Sequence, residues 1–86
     1  MSSNKDILTK EIESWGGFEY ALREENRLLF HKMLNRCRKN EYVSCVKARG
    51  ENFSAEALFL LLILEQQKMI DKLIVKLSDI KNDKSG

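Results

Sequence analysis

Proline is absent from this 86-residue chain, so nothing in its interior forbids a long helix. Histidine occurs once, as His31, and cysteine twice, as Cys37 and Cys45, which is too few ligands for a protein-made zinc site. On one continuous helix the two cysteines would lie roughly 12 Å apart, beyond disulfide reach, so free, reduced thiols are expected. No apolar run approaches the ~20 residues that span a bilayer, and the amino-terminal stretch mixes Lys, Asp and Glu where a signal peptide has an apolar core. The expectation is a cytoplasmic protein with no membrane partner. Glycine-rich phosphate loops are also missing, since Gly16 and Gly17 follow a helical pattern and not a strand. The adjacent Glu24 and Glu25 point about 100° apart on a helix and do not converge as a general acid and base would. No catalytic, cofactor-binding or metal-binding residue is therefore expected, and the chain does not read as an enzyme.

What is present is helical. Hydrophobic residues make up 43% and charged residues 33%, a balance that suits a folded chain and not a disordered tail. The length allows a single domain, 1–86, whose core is small enough that help from a partner is expected.

Three segments follow. The first, "SNKDILTKEIESW", spaces Ile7, Leu8, Ile12 and Trp15 as a short amphipathic helix over about 4–15, with Ser3 or Asn4 as N-cap and Asp6 in the first turn. Gly16 and Gly17 interrupt it, each costing about 1 kcal/mol inside a helix, so a break is expected there. The second, "FEYALREENRLLFHKMLNRCRKN", carries a stripe of Phe18, Leu22, Leu29 and Met33, predicting a helix over about 17–39 that continues weakly to about 48, where Gly50 supplies a stop. The third runs over about 54–81, with Ser54 as N-cap and Phe53 placed to staple onto Leu58. The fold class expected is all-α: an antiparallel helical hairpin of two long helices with a short N-terminal helix.

The third segment has more apolar surface than one neighbour can bury. Phe59, Leu62, Ile63, Met69, Ile70, Leu73, Ile74, Leu77 and Ile80 form one broad stripe, while Ala57, Leu60, Leu61 and Leu64 form a second face opposite its first two turns. Exposing leucines forgoes about 1.5–3 kcal/mol each. The cover is the first segment folded back, a second copy of the chain, or a different protein. Protein-contact residues are accordingly expected at Trp15, Phe18, Ala57, Leu60, Leu61 and Leu64.

Two polar features complete the reading. In an antiparallel pair turning near Gly50, Asn35 comes toward Gln66 and Arg36 toward Glu65, a polar layer that would fix register as polar residues do in coiled-coil seams; alternatively Gln66 only reaches solvent at a helix edge. Net charge is +2, but Lys32, Arg36, Arg38, Lys39, Lys47 and Arg49 face only the acid Glu41 within their stretch. Those bases either complement the helix dipole or form a patch for weak, non-specific DNA contact.

The residues "SWGGFEYALREENRLLFHKML" and "SAEALFLLLILEQQKMIDKL" carry a resemblance. Trp15 and Phe18, then Leu22, Arg23, Glu25, Asn26 and Arg27, then Phe30, Met33 and Leu34, then Glu56 and Ala57, and finally Leu64, Glu65, Gln66 and Gln67 match a pattern in small, mostly archaeal helical proteins of unassigned function. In size, charge and pattern the chain is also similar to the smaller accessory subunit of the crenarchaeal replicative family B DNA polymerase. That resemblance implies a non-catalytic subunit that docks on a DNA polymerase catalytic subunit and supports DNA synthesis. It transfers no catalytic motif.

Overall fold

The computed structural model describes residues 5–84. Its fold is all-α: α1 (Ile7–Ser14), α2 (Gly16–Ala21), α3 (Glu24–Arg36), α4 (Asn40–Arg49), a 3-10 turn (Glu51–Phe53) and α5 (Ser54–Lys84), with no strand among the described residues.

The first helix begins later than its sequence suggests. Asp6 is the N-cap, with an extended backbone and a carboxylate that accepts from Thr9 N–H at 2.7 Å and from the Thr9 hydroxyl at 3.1 Å. That backbone bond, the largest influence on it, holds the Asp6 carboxyl below its ordinary value. The alternative caps Ser3 and Asn4 lie outside the described residues. The chain then turns at Trp15, and Gly16 and Gly17 become the first residues of α2.

The long second helix expected from the pattern is three helices. It breaks first at Leu22 and Arg23, both extended, where the Arg27 guanidinium donates to the carbonyls of Tyr20 (3.0 Å) and Leu22 (3.1 Å). Those bonds satisfy acceptors that a helix C-terminus leaves open. The fold-back brings Phe18 to Phe30, with ring centroids 5.4 Å apart, and His31 Nδ1 to within 2.9 Å of Glu19 Oε1. A second break at Cys37–Lys39 re-aims the chain so that Leu34 and Cys37 on one side of it, and Tyr42 and Val46 on the other, all enter one core. Neither break carries a glycine or proline, and for that reason the periodicity ran straight through them.

The core is where α1 lies across α4 and α5: Leu8 and Ile12 meet Val46, Leu58 and Leu61, with Leu34, Cys37 and Tyr42 completing the cluster. Burial pushes the Cys37 thiol up to about 11, so it is an inert core atom, whereas Cys45 is exposed. Gly50 ends α4 with its N–H on Val46 O at 3.1 Å and a φ of 102° that favours glycine. The 3-10 turn follows, and Ser54 enters α5 with backbone already helical (φ −64°, ψ −36°). Its hydroxyl is not a cap on its own helix; it donates to Glu11 Oε1 at 2.7 Å, tying α5 to α1. Phe53 stays largely exposed beneath the Arg49 guanidinium, 4.6 Å from the ring centroid, in place of the expected staple.

Because α3 and α4 split what one long helix would have covered, α5 outlasts its neighbours. Its 31 residues span roughly 46 Å at 1.5 Å rise each, within a molecule 61 Å long. Replacing Gly50 with Ala meets no atom within 4 Å but forces a side chain into the disfavoured backbone region. Gly50→Ala is expected to lower stability by about 1–3 kcal/mol, read as a lower urea midpoint; an unchanged midpoint would show the turn to be unstrained.

Candidate interaction surface

The polar centre of the molecule is built on Glu65, which is 8% exposed. Its carboxylate accepts from Lys39 Nζ at 2.8 Å, from the Tyr42 hydroxyl, and from Lys68 Nζ at 3.3 Å, and Lys68 also donates to the Tyr42 oxygen at 2.8 Å. Both ammonium groups also lie 5.3 Å from the centroid of the Tyr42 ring. The bond from Lys39, followed by that from Tyr42, holds the Glu65 carboxyl down at about 2. Lys68 is raised above its ordinary value, first by its bond to Tyr42.

This cluster corrects the expected polar layer. Glu65 belongs to it, but Asn35, Arg36 and Gln66 do not. Arg36 lies against the Met69 sulfur, one turn further along α5 than expected, Asn35 accepts from Arg38 Nε at 3.2 Å, and Gln66 is exposed. The connection is Gly50 plus a 3-10 turn and not a single glycine, which slides the pairing by a few residues and puts Lys39 where Arg36 was expected. Tyr42, an aromatic with a polar tip directly before the apolar Val43, was the signal for this partner.

The expected contact residues fall on two surfaces. Ala57, Leu60, Leu61 and Leu64 do converge, lining a cleft between α4 and α5 that Cys45, Arg49 and Glu56 complete. Leu61 forms its floor at 7% exposure, so it is a core residue and not a free contact. Leu60 and Leu64 form its open wall at 67% and 44%. Folding back of α1 therefore covers part of the second apolar face and leaves the rest bare.

Trp15 and Phe18 lie on the other side of α5, in an apolar hollow with Phe30, Leu34, Leu58, Phe59 and Leu62. The Trp15 ring is edge-on to both Phe18 and Phe59, at 5.4 Å from each centroid, and its Nε1 donates to Glu11 Oε2 at 2.6 Å. Glu11 thus holds Trp15 with one oxygen and Ser54 with the other. Phe59 and Phe30 were legible as apolar positions, but nothing in the spacing marked Phe59 as the partner of Trp15 or Phe30 as that of Phe18.

The basic residues stand on three successive parts of the chain around the break after α3. Lys32 and Arg36 stand on α3, Arg38 and Lys39 in the connecting turn, and Lys47 and Arg49 on α4. Lys39 is spent on Glu65, Arg38 on Asn35 and Arg49 on Phe53, while Lys32 and Lys47 are exposed. Among the described residues no three His, Cys, Asp or Glu side chains gather as metal ligands, and no helix is long and apolar enough to cross a membrane. Compared with protein-family models, curated proteins and solved structures, the chain matches none.

Glu65→Gln leaves two ammonium groups and a phenol around a neutral amide, and a loss of about 1–3 kcal/mol at pH 7 is expected in urea unfolding, moderated because both lysines reach solvent. The same carboxylate gives the wild-type chain an acid-side signature. Its folded value of about 2 lies below the ordinary 4.5, so the stabilisation is complete above about pH 4.5 and is lost as pH falls toward 2. Unfolding free energies measured across that window are expected to decline less in the Glu65→Gln variant; identical profiles would remove Glu65 as the titrating group.

Proposed function

We propose that the chain is a non-catalytic interaction subunit that docks through the α4–α5 cleft on a larger protein. The observation that carries this reading is the cleft itself: an apolar trough with Leu61 as floor and Leu60 and Leu64 as wall, bordered by Arg49 and Glu56. A trough of that form, apolar at its centre and charged at its rim, suits an amphipathic helix or a single large apolar anchor from a partner. Two half-exposed leucines beside it are a standing cost that docking would recover.

The partner class comes from the sequence resemblance. Leu64-Glu65-Gln66-Gln67 and the Trp15-to-Leu34 pattern are similar to those of the smaller accessory subunit of a replicative family B DNA polymerase, and the catalytic subunit of such a polymerase is the partner proposed. The role is then to support DNA synthesis by binding, with DNA held by the larger subunit.

Leu60 and Leu64 are the residues to alter, because Leu61 is in the core and Leu61→Glu would unfold the chain. The double variant Leu60→Glu, Leu64→Glu is expected to keep its helical circular dichroism and thermal midpoint while its affinity for the polymerase catalytic subunit falls at least roughly 30-fold, about 2 kcal/mol, as for a central interface anchor. Titration calorimetry of the purified pair checks this, and undiminished affinity in the folded variant would remove the cleft as the docking site.

A further inference from the structure

Past the groove that it shares with α3, α5 runs on as a helix, and every residue from Ile74 to Lys81 is exposed. Along α5 as a whole the exposed apolar residues are not scattered, and one glutamine falls in step with them. Phe59, Ile63, Gln66, Ile70, Leu73, Leu77 and Ile80 succeed one another at intervals of four and three, without a slip, over about three heptads. In heptad terms Ile63, Ile70 and Leu77 occupy a, and Phe59, Gln66, Leu73 and Ile80 occupy d. Every one of the seven is exposed, the six apolar ones at 42–65%. This seam is not the face that packs on the core, which is set by Leu58, Leu61 and Glu65; at 100° per residue it lies roughly opposite Leu64 of the α4–α5 cleft wall, with Leu60, at e, on its edge.

We propose that this seam pairs with the same seam of a second copy of the chain, in an antiparallel coiled coil. Three observations select a second copy over an unrelated partner. An unbroken 3-4 repeat is the requirement of a facing helix that supercoils with it, and an irregular surface does not impose it. The half-exposed seam residues with their flanking Met69 and Ile74 offer on the order of 700 Å² per copy, close to the ~800 Å² per partner of a standard interface. Finally, a projecting helix of this length is marginal alone in water, so its own apolar face must be covered for it to persist.

The direction follows from charge and from shape. Parallel pairing would bring Lys76, at g, beside Lys81, at e, of the second copy, a like-charge contact. Antiparallel pairing separates them. It also lays the bare half of each α5 along the other copy's groove between α3 and α5, lined by Met33, Leu62, Gln66, Met69, Ile70 and Leu73. In that register Ile63 faces Leu73 of the second copy and Gln66 faces Ile70, with the two Gln66 amides within a turn of each other near the two-fold axis. A single polar position in an otherwise apolar seam is the device by which coiled coils fix alignment.

Sedimentation equilibrium on the full chain at tens of micromolar is expected to give twice the 10.0 kDa chain mass. Leu73→Glu is expected to weaken that dimer at least a hundredfold, whereas Leu64→Glu, at b on the far side of the helix, leaves it intact. In a Cys45→Ser background, Ile63→Cys and Leu73→Cys chains are expected to form disulfide-linked dimers when mixed and oxidised, and neither when oxidised alone. A chain monomeric at every concentration, a dimer indifferent to Leu73→Glu, or Leu73→Cys chains that link to themselves would each overturn the proposal. Because the docking cleft and the seam are altered by different substitutions, failure of one leaves the other standing.

Discussion

A carboxylate without water around it must be surrounded by donors, and in this protein the donors that meet Glu65 come from two places on the chain. Lys39 and Tyr42 reach it from the start of α4, and Lys68 comes from one turn further along α5. Because a buried anion tolerates little displacement from its partners, this cluster fixes how far α4 can slide along α5. That sliding position determines the rest. It places Val46 over Leu58 and Leu61, opens the space that Leu8 and Ile12 of α1 fill, and sets Arg36 beside Met69. Glu11 locks the same arrangement from the other end by holding Ser54 and Trp15 together.

The division of labour along α5 follows. Its first three turns are committed to the core on one side and leave Leu60 and Leu64 bare on another. Its residues from Ile74 to Lys81 are all exposed, yet they continue the regular spacing of apolar residues. A small domain gains its stability from few buried side chains, here eight apolar residues in the core cluster, so surface of this kind left outside it is disproportionate to structural need. The interaction role proposed above rests on these two separate apolar surfaces.

Much of this was legible from the sequence. The stop at Gly50 follows from backbone chemistry that glycine carries with it, whereas Ser54 opens α5 without capping it and Gly16 and Gly17 are helical beside the turn at Trp15. The excess of apolar surface on the third segment was readable too, because helical periodicity assigns faces without knowledge of neighbours. The breaks at Leu22–Arg23 and Cys37–Lys39 were not readable. Each is made by ordinary residues whose helical preference is outweighed by tertiary contacts: Arg27 bonding back to the carbonyls of Tyr20 and Leu22 in one case, and burial of Cys37 and Tyr42 in the other. Leu61 was read as a contact residue for the same reason, since its face is apolar in sequence and only the packing of α1 and α4 on α5 makes it core.

By itself, then, the sequence determined an all-helical chain, the identity and period of the apolar faces of its longest helix, and the absence of proline that lets that helix run. These are local properties, fixed by spacing and by which residues resist or favour a helix. Which face became core, which acid was buried and with which lysine, and how much of α5 was left uncovered were decided only in the tertiary structure. A register between helices is set by the sum of many distant contacts, and a shift of one turn exchanges every partner along it.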